Sequence, residues 1–233
     1  MNIGIEVEFT NVERSTLGIL LAEKLNSKFE MSESGIGRFN FIYGDLTGYS
    51  LTRDRSVQSY RKGTPFGDIE YEFSNELITK VIDIENNNDL DTFKTTLDII
   101  KENGGMVNDT CGLHVHIDQP DLDTTKHILK VIHSAQYLQL GINQNRLDKY
   151  CKPIPDALIA NLDSVSSLKE LKELWLTVDG SDDIHDIKYY MVNIDQNRTL
   201  EFRWFNATLD YENIINGIHA LLSLIDSPQL ITK

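Results

Sequence analysis

The stretch Cys111 to Asp118, Cys-Gly-Leu-His-Val-His-Ile-Asp, constrains this chain more than any other. Leu113, Val115 and Ile117 alternate with His114, His116 and Asp118, and a period of two sends one set to each face of a β-strand. Two imidazoles therefore point the same way, close enough to reach one bound ion or one charged substrate. A buried neutral imidazole has a donor and an acceptor to satisfy. The ordinary reading is two packing or surface histidines bonded to backbone; a His-x-His strand with Gly before it and Asp after it favours a site.

Asn2 to Phe9 alternates in the same way, with Ile3, Ile5, Val7 and Phe9 on one face and Gly4, Glu6 and Glu8 on the other. Two carboxylates at i and i+2 on one face repel each other by roughly 1 to 4 kcal/mol at close range, depending on the local dielectric. A solvated outer face offsets that in many antiparallel sheets. A divalent cation such as Mg, held by both oxygens, offsets it equally well. Asp68 to Ser74 repeats the pattern, Ile69, Tyr71 and Phe73 against Glu70 and Glu72. Tyr190 to Ile194 and Thr199 to Phe205 read as a hairpin joined through 195–198, with Leu200, Phe202 and Trp204 inward and Glu201 and Arg203 on the opposite face. Glu201 and Arg203 either pair with each other or form the rim of a metal-phosphate site.

Between these strands the periodicity changes to that of helices. Ser15 or Thr16 is the expected cap of a helix to about Phe29, on the stripe Leu17, Leu20, Leu21 and Leu25. A second helix spans Leu90 to Asn103, stopped by Gly104-Gly105; a third, capped by Asp123, runs from Thr124 to about Leu140; a last one covers Tyr211 to Leu224. Arg146 and Tyr150, four apart, share a helical face. Ser32 to Gly37, the link Gly63 to Gly67 and the acidic segment Val178 to Asp186 read as loops, and His127, His133 and His185 have no ligand-spaced neighbour. In Arg53-Asp54-Arg55-Ser56 the carboxylate stands between two cations, an environment that favours its charged form.

A chain of 233 residues can bury a core unaided, and a single domain over 1–233 is expected, with a peripheral helical insertion at about 152–186. The net charge of −14 argues against non-specific grip on nucleic acid or an anionic membrane. Two cysteines, Cys111 and Cys151, are too few for a disulfide framework or a Cys-based zinc site, so a reducing cytoplasm is the expected location. No leader or membrane-spanning run is evident. If the charged faces converge, Glu6, Glu8, Glu72, His114 and Glu201 form a nest too negative to stand empty. Mixed oxygen and nitrogen donors without thiolate suit Mg or Mn better than structural zinc.

The residues also carry a resemblance. Gly4 to Phe9, Asp54-Arg55-Ser56, Glu72-Phe73-Ser74, Cys111 to His116, Arg146 to Tyr150 and Thr199 to Arg203 occur in the order seen in the amidoligase family, which resembles glutamine synthetase and glutamate-cysteine ligase. The resemblance implies an α+β fold, a curved and mainly antiparallel sheet with helices on its outer face. It implies ATP-dependent joining of a small-molecule or peptide carboxylate to an amine through an acyl phosphate. By similarity, Glu6, Glu8, Glu72, His114 and Glu201 would hold Mg or Mn. Arg203 would neutralise the transferring phosphoryl group, and His116 would contact phosphate or the substrate carboxylate. Asp54 would take a proton from the incoming ammonium, and Arg146 would touch substrate or nucleotide. The family pattern usually places its third-strand Glu three residues before the Ser, which falls on Tyr71 here; Glu70 and Glu72 flank it, and Glu72 is taken as the ligand. No Walker-type loop is present, so ATP rests on the resemblance. The rival readings are a metal-dependent hydrolase or cupin-like oxygenase, and a non-catalytic binding module on the same scaffold; after the second His a cupin wants a Glu, where Asp118, Pro120 and Asp121 follow.

Overall fold

The computed structural model describes residues 1–31, 38–59, 73–136, 142, 144–181, 183, 187–194 and 199–226. Glu70, Tyr71 and Glu72, the loops 32–37 and 63–67, the turn 195–198, Leu138 and His185 lie outside the described residues. The chain divides into two compact units, Met1–Val115 with Asn206–Ile214, and His116–Phe205 with Ile215–Lys233. The fold class is α+β, built on a mainly antiparallel sheet that is not closed.

In the first unit, β1 (Asn2–Phe9) sits between β5 (Asn75–Ile78) and β7 (Gly112–Asp118). Outward from β5 follow β4 (Ser50–Thr52), β3 (Phe39–Tyr43) and the edge strand β2 (Lys28–Met31), while β6 (Ile82–Asp83) pairs with the start of β1. The expected apolar face of β1 is the core: Ile3, Ile5, Val7 and Phe9 are all buried, each such side chain contributing about 1.5–3 kcal/mol by leaving water. Two helices, α1 (Arg14–Lys24) and α2 (Asn87–Glu102), lie against each other and touch β4 and β6 respectively. Leu17 and Leu21 on α1, and Phe93, Leu97 and Ile100 on α2, are buried.

Helix α1 departs from expectation at both ends. Its cap residue is Glu13, whose carboxylate accepts bonds from the hydroxyls of Ser15 and Thr16. It stops at Lys24 because Asn26 takes a left-handed conformation, φ 43°, and the Ser27 N–H turns back to the Ala22 carbonyl at 2.8 Å; asparagine is among the few non-glycine residues that visit that region. Phe29 consequently lies in β2. At the end of the β2–β3 pair beside this turn, Gly44 has φ 78°, and a Cβ there would stand 2.0 Å from the Asn26 carbonyl oxygen.

The second unit contains α3 (Leu122–Ala135), α4 (Gln144–Lys149), α5 (Asp156–Asn161), α6 (Leu168–Asp179), β8 (Val192–Ile194) and most of β9 (Thr199–Asn206). Strand order is β7-β9-β8, and β8 pairs antiparallel to β9 as the expected hairpin does. Helix α3 packs on α5, and α5 on α6. The cap of α3 is Asp121, whose side chain accepts the Thr124 N–H at 2.8 Å, two residues before the expected Asp123. Gly180, in left-handed conformation, ends α6. Helix α7 (Tyr211–Ile225) begins in the first unit, where the Tyr211 ring meets Phe93, and continues in the second. No helix among the described residues is long and apolar enough to cross a membrane.

Candidate functional site

Alternation along β1 puts Glu6 and Glu8 on the face opposite the core, and the register of the antiparallel pair sets Glu8 against Glu76 and Glu6 against Ile78. On the other side of β1, β7 delivers His114. The imidazole lies between two carboxylates, Nδ1 at 3.1 Å from Glu6 Oε2 and Nε2 at 3.7 Å from Glu8 Oε1. Glu8 is 2 % exposed and His114 3 %. The solvated outer face considered for β1 therefore does not describe Glu8. Its Oε2 instead accepts the backbone N–H of Gly112 at 2.5 Å, a charge-assisted bond that locks the carboxylate's orientation. Gly112 thus joins β1 to β7 through a side chain as well as through the sheet.

One ligand-type oxygen each from Glu8 and Glu76 and one ring nitrogen of His114 lie within 4.8 Å of one another. Two carboxylates and an imidazole are donors for a divalent cation: the oxygens suit Mg and Mn, and the nitrogen suits Mn and its heavier neighbours. The residues present fit such an ion. Glu76 was not singled out from the sequence. Its strand is four residues long, and Asn75-Glu76-Leu77-Ile78 gives too few alternations to stand out; the available signal was the apolar Leu77 beside an acid. Asp54, also in this unit, is satisfied locally, accepting the Ser56 N–H at 2.6 Å and the Ser56 hydroxyl.

In the second unit β9 presents Glu201 and Arg203 on one face, as alternation predicts, with Leu200, Phe202 and Trp204 buried on the other. Glu201 is 4 % exposed. Its carboxylate accepts bonds from the Arg203 guanidinium and from Asn193 Nδ2, the latter at 2.7 Å from its cross-strand neighbour. His116 holds Nδ1 at 3.1 Å from the Thr199 hydroxyl and Nε2 at 3.9 Å from Glu201. Arg146, almost wholly buried, donates from Nη2 to the Arg203 carbonyl at 3.1 Å. Burial pushes the Cys151 thiol up from its ordinary pKa, while the charges of Arg146 and Arg203 pull the other way. The structure so gathers His116, Glu201, Arg203 and Arg146 within this unit, and Glu6, Glu8 and His114 within the first.

A comparison with curated proteins finds no match. The model of the family described as "Putative amidoligase enzyme" matches residues 1–225, nearly the whole chain and every residue singled out above. The chain belongs to this amidoligase family.

Proposed function

We propose that the protein is an ATP-dependent carboxylate-amine ligase working through an acyl phosphate. The observation that carries this reading is Glu8, a buried carboxylate with His114 and Glu76 around it, in a chain whose family is that of amidoligases. Burying carboxylates is costly unless they are paired, hydrogen-bonded or used to hold a cation, and a metal-dependent phosphoryl transfer uses them so.

On this reading a substrate carboxylate oxygen attacks the γ-phosphorus of ATP and the bond to the β-phosphate oxygen breaks, releasing ADP. An amine then attacks the acyl carbon, inorganic phosphate leaves, and the amine's proton is lost. Glu6, Glu8, Glu72 and His114 are metal ligands, and Glu201 serves as one as well. The metals, Mg or Mn, supply charge neutralisation at the ATP phosphates. Arg203 stabilises charge on the transferred group, held in orientation by its bond to Glu201. His116 and Arg146 contact phosphate or substrate. Asp54, its carboxylate oriented by Ser56, accepts the proton of the incoming ammonium.

The test supplies ATP, Mg and hydroxylamine with a panel of amino acids and peptides, and reads hydroxamate and ADP. The proposal expects hydroxamate that requires ATP and a carboxylate. ADP release indifferent to the carboxylate would instead identify a phosphohydrolase, and neither product from any mixture would favour a binding module.

A further inference from the structure

The strand order ends at β2, and among the described residues no strand pairs with its outer side. Phe41, the cross-strand partner of Phe29, donates its N–H to the Tyr49 carbonyl, and its own carbonyl accepts the Gly48 N–H. Both of its backbone groups point away from β2, so Phe29 and Phe41 form a non-hydrogen-bonded pair. Antiparallel alternation then turns the Phe29 N–H and C=O outward, to the open edge. Such an edge is a template for another strand. The corner around it is also apolar, with Ile19, Met31, Ile42 and Tyr43 all exposed. A cleft of about 320 Å³ opens beside them, with Ile19, Ala22, Ser27 and Phe29 among its lining residues. Grouped apolar side chains on a surface mark a place where another molecule docks.

The charges of β2 identify the occupant. Alternation puts Lys28 and Glu30 on one face of the strand, Phe29 and Met31 on the other. When two copies pair this strand antiparallel about a two-fold axis, opposed side chains share a face, so the axis passes through a residue. An axis at Phe29 lets its outward N–H and C=O bond those of the second copy's Phe29, and it sets Lys28 opposite Glu30 twice. An axis at Glu30 would oppose two carboxylates, and one at Lys28 two ammonium groups, both unfavourable. In the Phe29 register Met31 of the second copy comes level with Ser27, beside the cleft, and brings it an apolar side chain. We propose that a second copy of this chain docks on β2, its own β2 running antiparallel with Phe29 opposite Phe29. This inference does not depend on the ligase reading.

The test is sedimentation velocity of the full chain over a concentration series, with circular dichroism as the check on folding. Wild type should shift from one copy toward two as concentration rises. Lys28→Glu and Glu30→Lys each put like charges opposite one another and should weaken the dimer on the order of 10-fold or more. Both side chains are exposed, so the fold should be unchanged. The double variant Lys28→Glu/Glu30→Lys restores both opposite-charge pairs and should recover the dimer, as should an equimolar mixture of the two single variants. If one single variant does not fold, the other, compared with the double variant, carries the test. Wild type that stays a single copy at every concentration overturns the inference. So do single variants that associate as wild type does, or a loss that neither the double variant nor the mixture restores.

Discussion

At Glu8 two demands meet on one side chain. The carboxylate is buried, it carries the Gly112 N–H, and it faces His114. Substitutions separate the demands. Glu8→Gln keeps an acceptor for the Gly112 N–H and removes the charge, whereas Glu8→Ala leaves that donor buried without its partner. Denaturant unfolding of the metal-free protein should therefore find Glu8→Ala less stable than Glu8→Gln by about 1–3 kcal/mol; equal stabilities would mean that the bond contributes nothing. Both variants should lose metal affinity, because the lost charge is common to them. The β1 carboxylates were legible in the sequence because eight residues of clean alternation leave one assignment of faces. What letters could not convey was their inequality: Glu6 keeps 23 % of its side-chain surface and Glu8 3 %, Glu8 being the one that accepts the Gly112 N–H and pairs across the sheet with Glu76.

Turns and caps are where the elements departed from expectation, and the reasons are local. Leu25 and Phe29 prolong the hydrophobic stripe of α1, so periodicity alone carries the helix too far; the left-handed Asn26 ends it. Gly44 sits opposite that turn. Gly44→Ala would place a methyl against the Asn26 carbonyl and force a left-handed alanine, costing at least about 1–2 kcal/mol, to be read as a fall in melting temperature. A melting point equal to wild type would show that the turn can open without loss. In α3 the expected cap is Asp123, and the geometry puts Asp121 there instead, its carboxyl held below its usual pKa by the backbone N–H and then the hydroxyl of Thr124. A depressed pKa gives stability that is present above the unfolded value, about 3.9, and lost as pH falls through the lower folded one. Wild type should consequently lose stability more steeply than Asp121→Asn as pH is lowered from about 5 toward 2. Parallel pH profiles of the two melting temperatures would remove the carboxylate from the account.

For the whole molecule, the order of weak signals proved more informative than any one of them. His-x-His, Glu-x-Glu and Glu-x-Arg each have ordinary readings, and Glu201 does pair with Arg203; the family whose model matches 1–225 is the one that their succession resembles. Glu72 lies outside the described residues, so the structure contributes Glu76 where the sequence pointed to the segment just before it. The claim on which the functional account depends is that these acidic and imidazole-bearing strands serve a metal-nucleotide complex. Calorimetric titration of ATP into the protein, with Mg and with Mg removed by chelator, addresses it most directly. The account predicts saturable ATP binding that needs Mg and is lost in Glu8→Gln and Glu201→Gln. ATP binding of equal strength without Mg, or unchanged in both variants, would contradict it.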